Sequence, residues 1–161
     1  MNVFHHSQPA ALDVRPAHLE WALRVLGALS LLAVGAVHLQ QYDALYSAIP
    51  TIGTLFVLNF AGATAIGLGL LLPVERFFGR LGGVLPALLA LGGIGLAATA
   101  FVFLFVSERT PLFGFMEPGY DPTAILASRV AEVVTVAFLT GFLAVSAARR
   151  AGHGGRDSCA I

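Results

Sequence analysis

Long apolar runs dominate the chain, and most polar positions gather between them. A hydrocarbon layer about 30 Å thick takes roughly 20 apolar residues in a helix, and four segments reach that length. The first runs from about Trp21 to Leu39, with Arg24 near its start, and the second from about Thr54 to Leu72, with Asn59 its one strongly polar member. The third, Leu81 to Val106, holds no charge; the fourth, about Thr123 to Ala148, holds Arg129 and Glu132 in its first half. Pro73 stops the second run because a proline there cannot continue a helix without losing a hydrogen bond. Asp121-Pro122-Thr123 opens the fourth, with Asp121 placed to cap and Pro122 tolerated in a first turn. IPTIG at 49–53 and TPLFGFMEPGYDP at 110–122 are dense in proline and glycine and read as loops. The pattern predicts an all-α, integral membrane bundle of four transmembrane helices (21–39, 54–72, 81–106 and 123–148) between tails at 1–20 and 149–161.

Composition agrees. Of 161 residues, 57% are hydrophobic and 11% charged, with mean hydropathy +0.83 and net charge zero. A soluble domain is about a quarter charged, so a disordered chain, a basic nucleic-acid binder and a disulfide-stapled secreted module are excluded. All nine basic residues are arginine, and their placement sets an orientation. Arg15, Arg24, Arg76, Arg80, Arg149, Arg150 and Arg156 fall on one side of an alternating four-helix plan, and the opposite loops hold only Arg109. By the positive-inside rule both termini are expected in the cytoplasm, with loops 40–53 and 107–122 facing outward. A spanning first helix fits better than a cleaved signal peptide, because about twenty mostly polar residues precede the run.

Lipid tails are as apolar as leucine, so helices in a membrane associate through close packing and hydrogen bonds. Small residues four apart offer such contacts: Ala61, Ala65 and Gly69; Gly93 and Ala97; Ala127 and Ala131; Ala137 and Gly141. In a chain this rich in alanine and glycine they point to a compact bundle and not to a specific dimer.

Polar groups inside a spanning helix are costly and normally face protein or water. Here His38, Asn59, Arg129 and Glu132 are all expected in the outer half of the bilayer. Helical spacing places Leu31, Gly35, His38 and Tyr42 on one stripe, Asn59 with Gly62, Ala63 and Ile66 on another, and Ser128, Glu132 and Thr135 on a third. Arg129 precedes Glu132 by three residues, within reach for a pair. Two readings fit. In one, Arg129 and Glu132 neutralise each other while Asn59 and His38 supply hydrogen bonds that lock the bundle. In the other, His38, Tyr42, Asn59, Arg129 and Glu132 line a ligand or ion site.

Other chemistry finds little footing. A haem held by two histidines needs a second intramembrane histidine; His5, His6, His18 and His153 all belong to the tails. A metal at His38 and Glu132 would need a third ligand from Asp43, Glu117 or Asp121, and no spacing recommends one. The single Cys159 excludes a disulfide within the chain, and no phosphate-binding loop, GxSxG or HExxH occurs. No cofactor is indicated. Tyr42, Tyr46, Phe113, Phe115 and Tyr120 in the outer loops suit either an interfacial aromatic belt or an ordered cap over the polar cluster, and a cap is expected.

The stretches HLQQYDALY (His38 to Tyr46), IPTIGTLFVLN (Ile49 to Asn59) and FGFMEPGYD (Phe113 to Asp121), with a glutamate in the next helix, resemble a signature of small, uncharacterised four-helix membrane proteins of high-GC Gram-positive bacteria. More loosely, the plan with a histidine ending helix one is similar to DoxX-like membrane proteins. The first resemblance spans roughly 36–145 and implies a four-helix fold in an actinobacterial inner membrane, without an activity to carry over. The second implies a link to quinone or thiol oxidation, and no intramembrane cysteine is present for a thiol role. The expected function is a non-enzymatic accessory subunit or a module binding a small molecule or lipid, in contact with membrane lipid and with a partner membrane protein or a second copy. A proton or cation transport component using Glu132 and a quinone-handling oxidoreductase subunit are the alternatives.

Overall fold

The computed structural model describes residues 14–73 and 82–157. Among these, four long helices carry the fold: α1 Val14–Ala44, α2 Pro50–Leu71, α3 Leu85–Ser107 and α4 Pro122–Asp157. All four are long and apolar enough to cross a membrane. Their outer faces carry exposed Leu26, Leu58, Leu88, Val102, Phe105 and Val133, the arrangement a hydrocarbon solvent selects. The protein is an all-α, four-helix integral membrane bundle. The start of the third expected span at Leu81, Arg76, Arg80, Cys159 and the histidines at 5 and 6 lie outside the described residues.

The helices outrun the apolar runs that predict them. α1 begins before Trp21 and continues past Leu39 through Gln40, Gln41 and Tyr42 to Ala44. α2 starts at Pro50, where a proline costs no hydrogen bond in a first turn. α4 begins at Pro122, with Asp121 Oδ1 accepting the Ala124 amide at 3.0 Å, and runs on beyond Ala148. A single 3-10 turn, Tyr46–Ala48, joins α1 to α2.

Around the bundle each helix packs on its sequence neighbours, and α1 also packs along α4, while the α1–α3 diagonal is sparse. Near the termini the packing is tight. Ala28, Leu70, Ala90, Leu139 and Phe142 form one buried cluster there. Glycines set the spacing: a Cβ on Gly27 would sit 2.4 Å from Leu139, and one on Gly93 2.8 Å from Leu139. The small-residue faces differ from those expected on α2 and α4. Ala61 and Ala65 are exposed, and the packed face of α2 is Ala63, Gly67 and Leu70. Ala127 and Ala137 also point outward, whereas Gly93 and Ala97 of α3 are buried as expected.

Toward the loops α2 and α3 part. Gly69 meets Leu89, Gly92 faces Ile66 and Gly62 meets Leu96, but Gly95 has nothing near its missing Cβ. The bulkier Phe56 and Phe103 follow on the loop side, and the space between the helices opens there.

The candidate ligand cavity

A cavity of about 390 Å³ fills the loop end of the bundle. α1 contributes Val37, His38 and Gln41, α2 Ile52, Phe56 and Asn59, α3 Leu96, Thr99 and Phe103, and α4 Ile125, Ser128 and Glu132. Leu58, Gly95 and Thr99 line it and are also exposed, so its mouth lies between α2 and α3, on the lipid-facing side.

The segment between α3 and α4 closes the top. Leu112 and Phe115 exchange backbone hydrogen bonds of 2.7 and 3.0 Å across Phe113 and Gly114, whose φ of 52° and 81° make a tight hairpin turn. Phe115 then meets the Tyr46 ring edge-on at 5.7 Å, and Tyr46 stacks on Phe56 at 4.7 Å. Phe113 reaches Phe103 at 6.1 Å but remains 59% exposed.

Glu117 pins this cap. Its amide donates to the Ser107 carbonyl at 2.8 Å, its Oε1 accepts the amides of Gly119 and Tyr120, and its Oε2 accepts the Tyr46 hydroxyl. Burial, with that bond and the charge of Glu117, holds the Tyr46 phenol above its usual range. Gln41 Nε2 donates to Asp121 Oδ2 at 3.0 Å, which ties α1 to the start of α4. The Ala124 amide and then Gln41 hold the Asp121 carboxyl below its usual range.

Below the cap the polar groups are less well served. Glu132, 1% exposed, accepts the Ser128 hydroxyl at 2.8 Å on Oε1, and its Oε2 is buried with no partner. Asn59 Oδ1 is also buried with no partner. At 1.5 Å per residue, Asn59 lies about 14 Å and Glu132 about 15 Å from the loop ends of their helices, so both sit near mid-span. His38 Nδ1 lies 2.9 Å from the carbonyl of Val34 in its own helix, and its ring packs on Phe56 at 5.0 Å.

Three of the five sequence candidates, His38, Asn59 and Glu132, therefore line one cavity. Tyr42 does not: it lines a smaller recess with Ser47, Pro50 and Gly53. Arg129 does not pair with Glu132 as the three-residue spacing predicts. It turns toward the loop and bonds both Glu108 oxygens at 2.5 Å, since the next helical position points it away from the cavity and Glu108 lies at the better solvated end of α3. Gln41, Thr99 and Ser107 are polar liners missed in the sequence, and Glu117, named there only as a possible third metal ligand, lines the cavity as well. Glu117 gave little signal there, because an acid beside proline and glycine in a loop is ordinary. Among the described residues no three His, Cys, Asp or Glu side chains gather as a metal site.

Below the cavity Thr135 Oγ1 lies 3.0 Å from Ser30 Oγ, and around and beneath that pair the interior closes on apolar residues, Leu31 and Leu139 among them. Farther on, Arg24 donates to the carbonyls of Leu70 and Leu72, and Glu20 accepts Ser146 and Arg149.

Fold and cavity together define a multi-pass membrane protein with a capped interior space at one end. No protein-family model, no curated protein and no solved structure matches the chain.

Proposed function

We propose that the protein is a membrane-embedded binding module that takes an amphiphilic small molecule from the surrounding lipid. The ligand enters between α2 and α3, lays its apolar part along Leu55, Leu96 and Phe103, and presents its head to Glu132 and Asn59. One observation carries this reading: Glu132 and Asn59 line a roomy cavity, and Glu132 Oε2 and Asn59 Oδ1 are buried there without a protein partner. An unsatisfied buried polar group costs about 1–3 kcal/mol, more when charged. A cluster built only to lock the helices would satisfy these atoms internally. Instead neither His38, Asn59 nor Glu132 hydrogen-bonds to a neighbouring helix. Transport through Glu132 has less support, because the apolar closure at Leu31 and Leu139 offers no continuing polar path.

The arginine distribution supports an orientation with both termini cytoplasmic and the cavity in the outer half of the membrane. The resemblance to small actinobacterial four-helix proteins supports a bacterial inner membrane as the protein's location. A partner membrane protein, or a second copy, receives or supplies the ligand.

Native mass spectrometry of the protein released from lipid nanodiscs tests the reading. Wild type is expected to carry a discrete small-molecule mass. Gly95→Phe, which adds a ring at the mouth where the backbone has free space, is expected to lose it while remaining folded. A bare chain in both, or the same adduct in both, contradicts the proposal.

A further inference from the structure

The cavity keeps buried oxygens that no protein donor reaches. Four of its donors are spent inside the protein, the Tyr46 hydroxyl on Glu117, Ser128 on Glu132, Ser107 on the Leu104 carbonyl and Gln41 on Asp121, while Asn59 Nδ2 and the Thr99 hydroxyl keep theirs. Glu132 Oε2 and Asn59 Oδ1 have no donor. Because His38 Nδ1 donates to Val34, Nε2 of the neutral ring is a third acceptor.

Charge leans the same way. Glu117 and Glu132 line the walls and no arginine does; the chain has no lysine, and Arg129 is taken by Glu108. Tyr46, Phe56, Phe103 and Phe115 add four aromatic rings, whose faces attract cations. An anionic head, such as a phosphate or a carboxylate, would meet Glu117 and Glu132 with no arginine or lysine on the wall to offset them. A donating head satisfies the orphaned oxygens. A donating head that is also positively charged supplies the partner a buried carboxylate requires.

We propose that the ligand is a lipophilic amine bound as its ammonium ion, with N–H groups on Glu132 Oε2 and Asn59 Oδ1 and its chain running to the mouth between α2 and α3. This rests on the cavity being a ligand site. Three amphiphiles with one tail and different heads separate the two claims: dodecylamine, dodecanol and dodecanoate. Each is titrated calorimetrically into the purified full chain in nonionic micelles, with empty micelles as the blank.

Wild type is expected to bind the amine about tenfold or more tighter than the alcohol, the span of one charge-assisted hydrogen bond, with dodecanoate weakest. Glu132→Gln is expected to bring the amine down to the level of the alcohol, and Asn59→Leu to weaken it partly. Equal binding of amine and alcohol by wild type overturns the ammonium assignment while leaving a site for uncharged amphiphiles. Binding of none of the three, or binding of all three that Gly95→Phe leaves untouched, removes the ligand site itself. The comparison of heads uses wild type alone, so it holds even where a variant fails to fold.

Discussion

Tyr46 and Glu117 hold the cap to the bundle through one buried bond, and that bond makes the cap sensitive to alkali. Burial first, and then that bond, make the folded phenol keep its proton more tightly than the unfolded one, whose ordinary value is 10.0. The contribution of the bond is therefore complete below pH 10 and declines as pH rises above it. Thermal unfolding in detergent is expected to show that decline in wild type and a smaller one in Tyr46→Phe. At neutral pH the same substitution strands Glu117 Oε2 and is expected to cost about 1–3 kcal/mol. An unchanged midpoint would mean that the bond does not hold the cap. At this scale Asn59 and Glu132 were legible in the sequence, because a lone polar residue in an apolar run is conspicuous. The direction of Arg129 was not. Spacing three residues from Glu132 permits a pair, but Glu108, on another segment, is the partner that leaves the charge at the end of the helix.

Element boundaries explain why the cavity lies so deep. Apolar runs mark the part of a helix that must be in lipid, whereas the helix itself continues while its backbone bonds continue. Gln40, Gln41 and Tyr42 thus extend α1, and Pro50 starts α2 four residues before Thr54. The α2 packing face was hidden for a related reason: Ala61, Ala63, Ala65 and Gly67 put small residues on several sides of one helix, and only the neighbours decide which side is used. Two substitutions test these junctions. A Cβ on Gly53 would lie 2.8 Å from the Tyr46 carbonyl, a backbone atom that cannot swing aside. Gly53→Ala is expected to lose about 1–3 kcal/mol and to speed proteolysis within 108–121, whereas Gly95→Ala, beside open space, leaves both unchanged. Asp121→Ala removes the cap of α4 and the bond from Gln41, and is expected to lower the unfolding midpoint. A midpoint equal to wild type would show that neither bond is needed to start α4.

For the whole molecule, the four-helix membrane plan follows from run length and loop composition, and the structure has it. The cavity does not follow from those, since it arises where α2 and α3 diverge beyond Gly62 and Leu96, a consequence of side-chain size at each level of the bundle. The bundle is tightly packed at the end near its termini and holds a capped, unsatisfied space at its loop end. The most direct measurement is a crystal structure of the wild-type chain grown from a lipid mesophase. Elongated density is expected from the mouth between α2 and α3 to within hydrogen-bonding distance of Glu132 Oε2 and Asn59 Oδ1. A collapsed cavity in which those two atoms bond to each other, or to other protein groups, would contradict the proposed site.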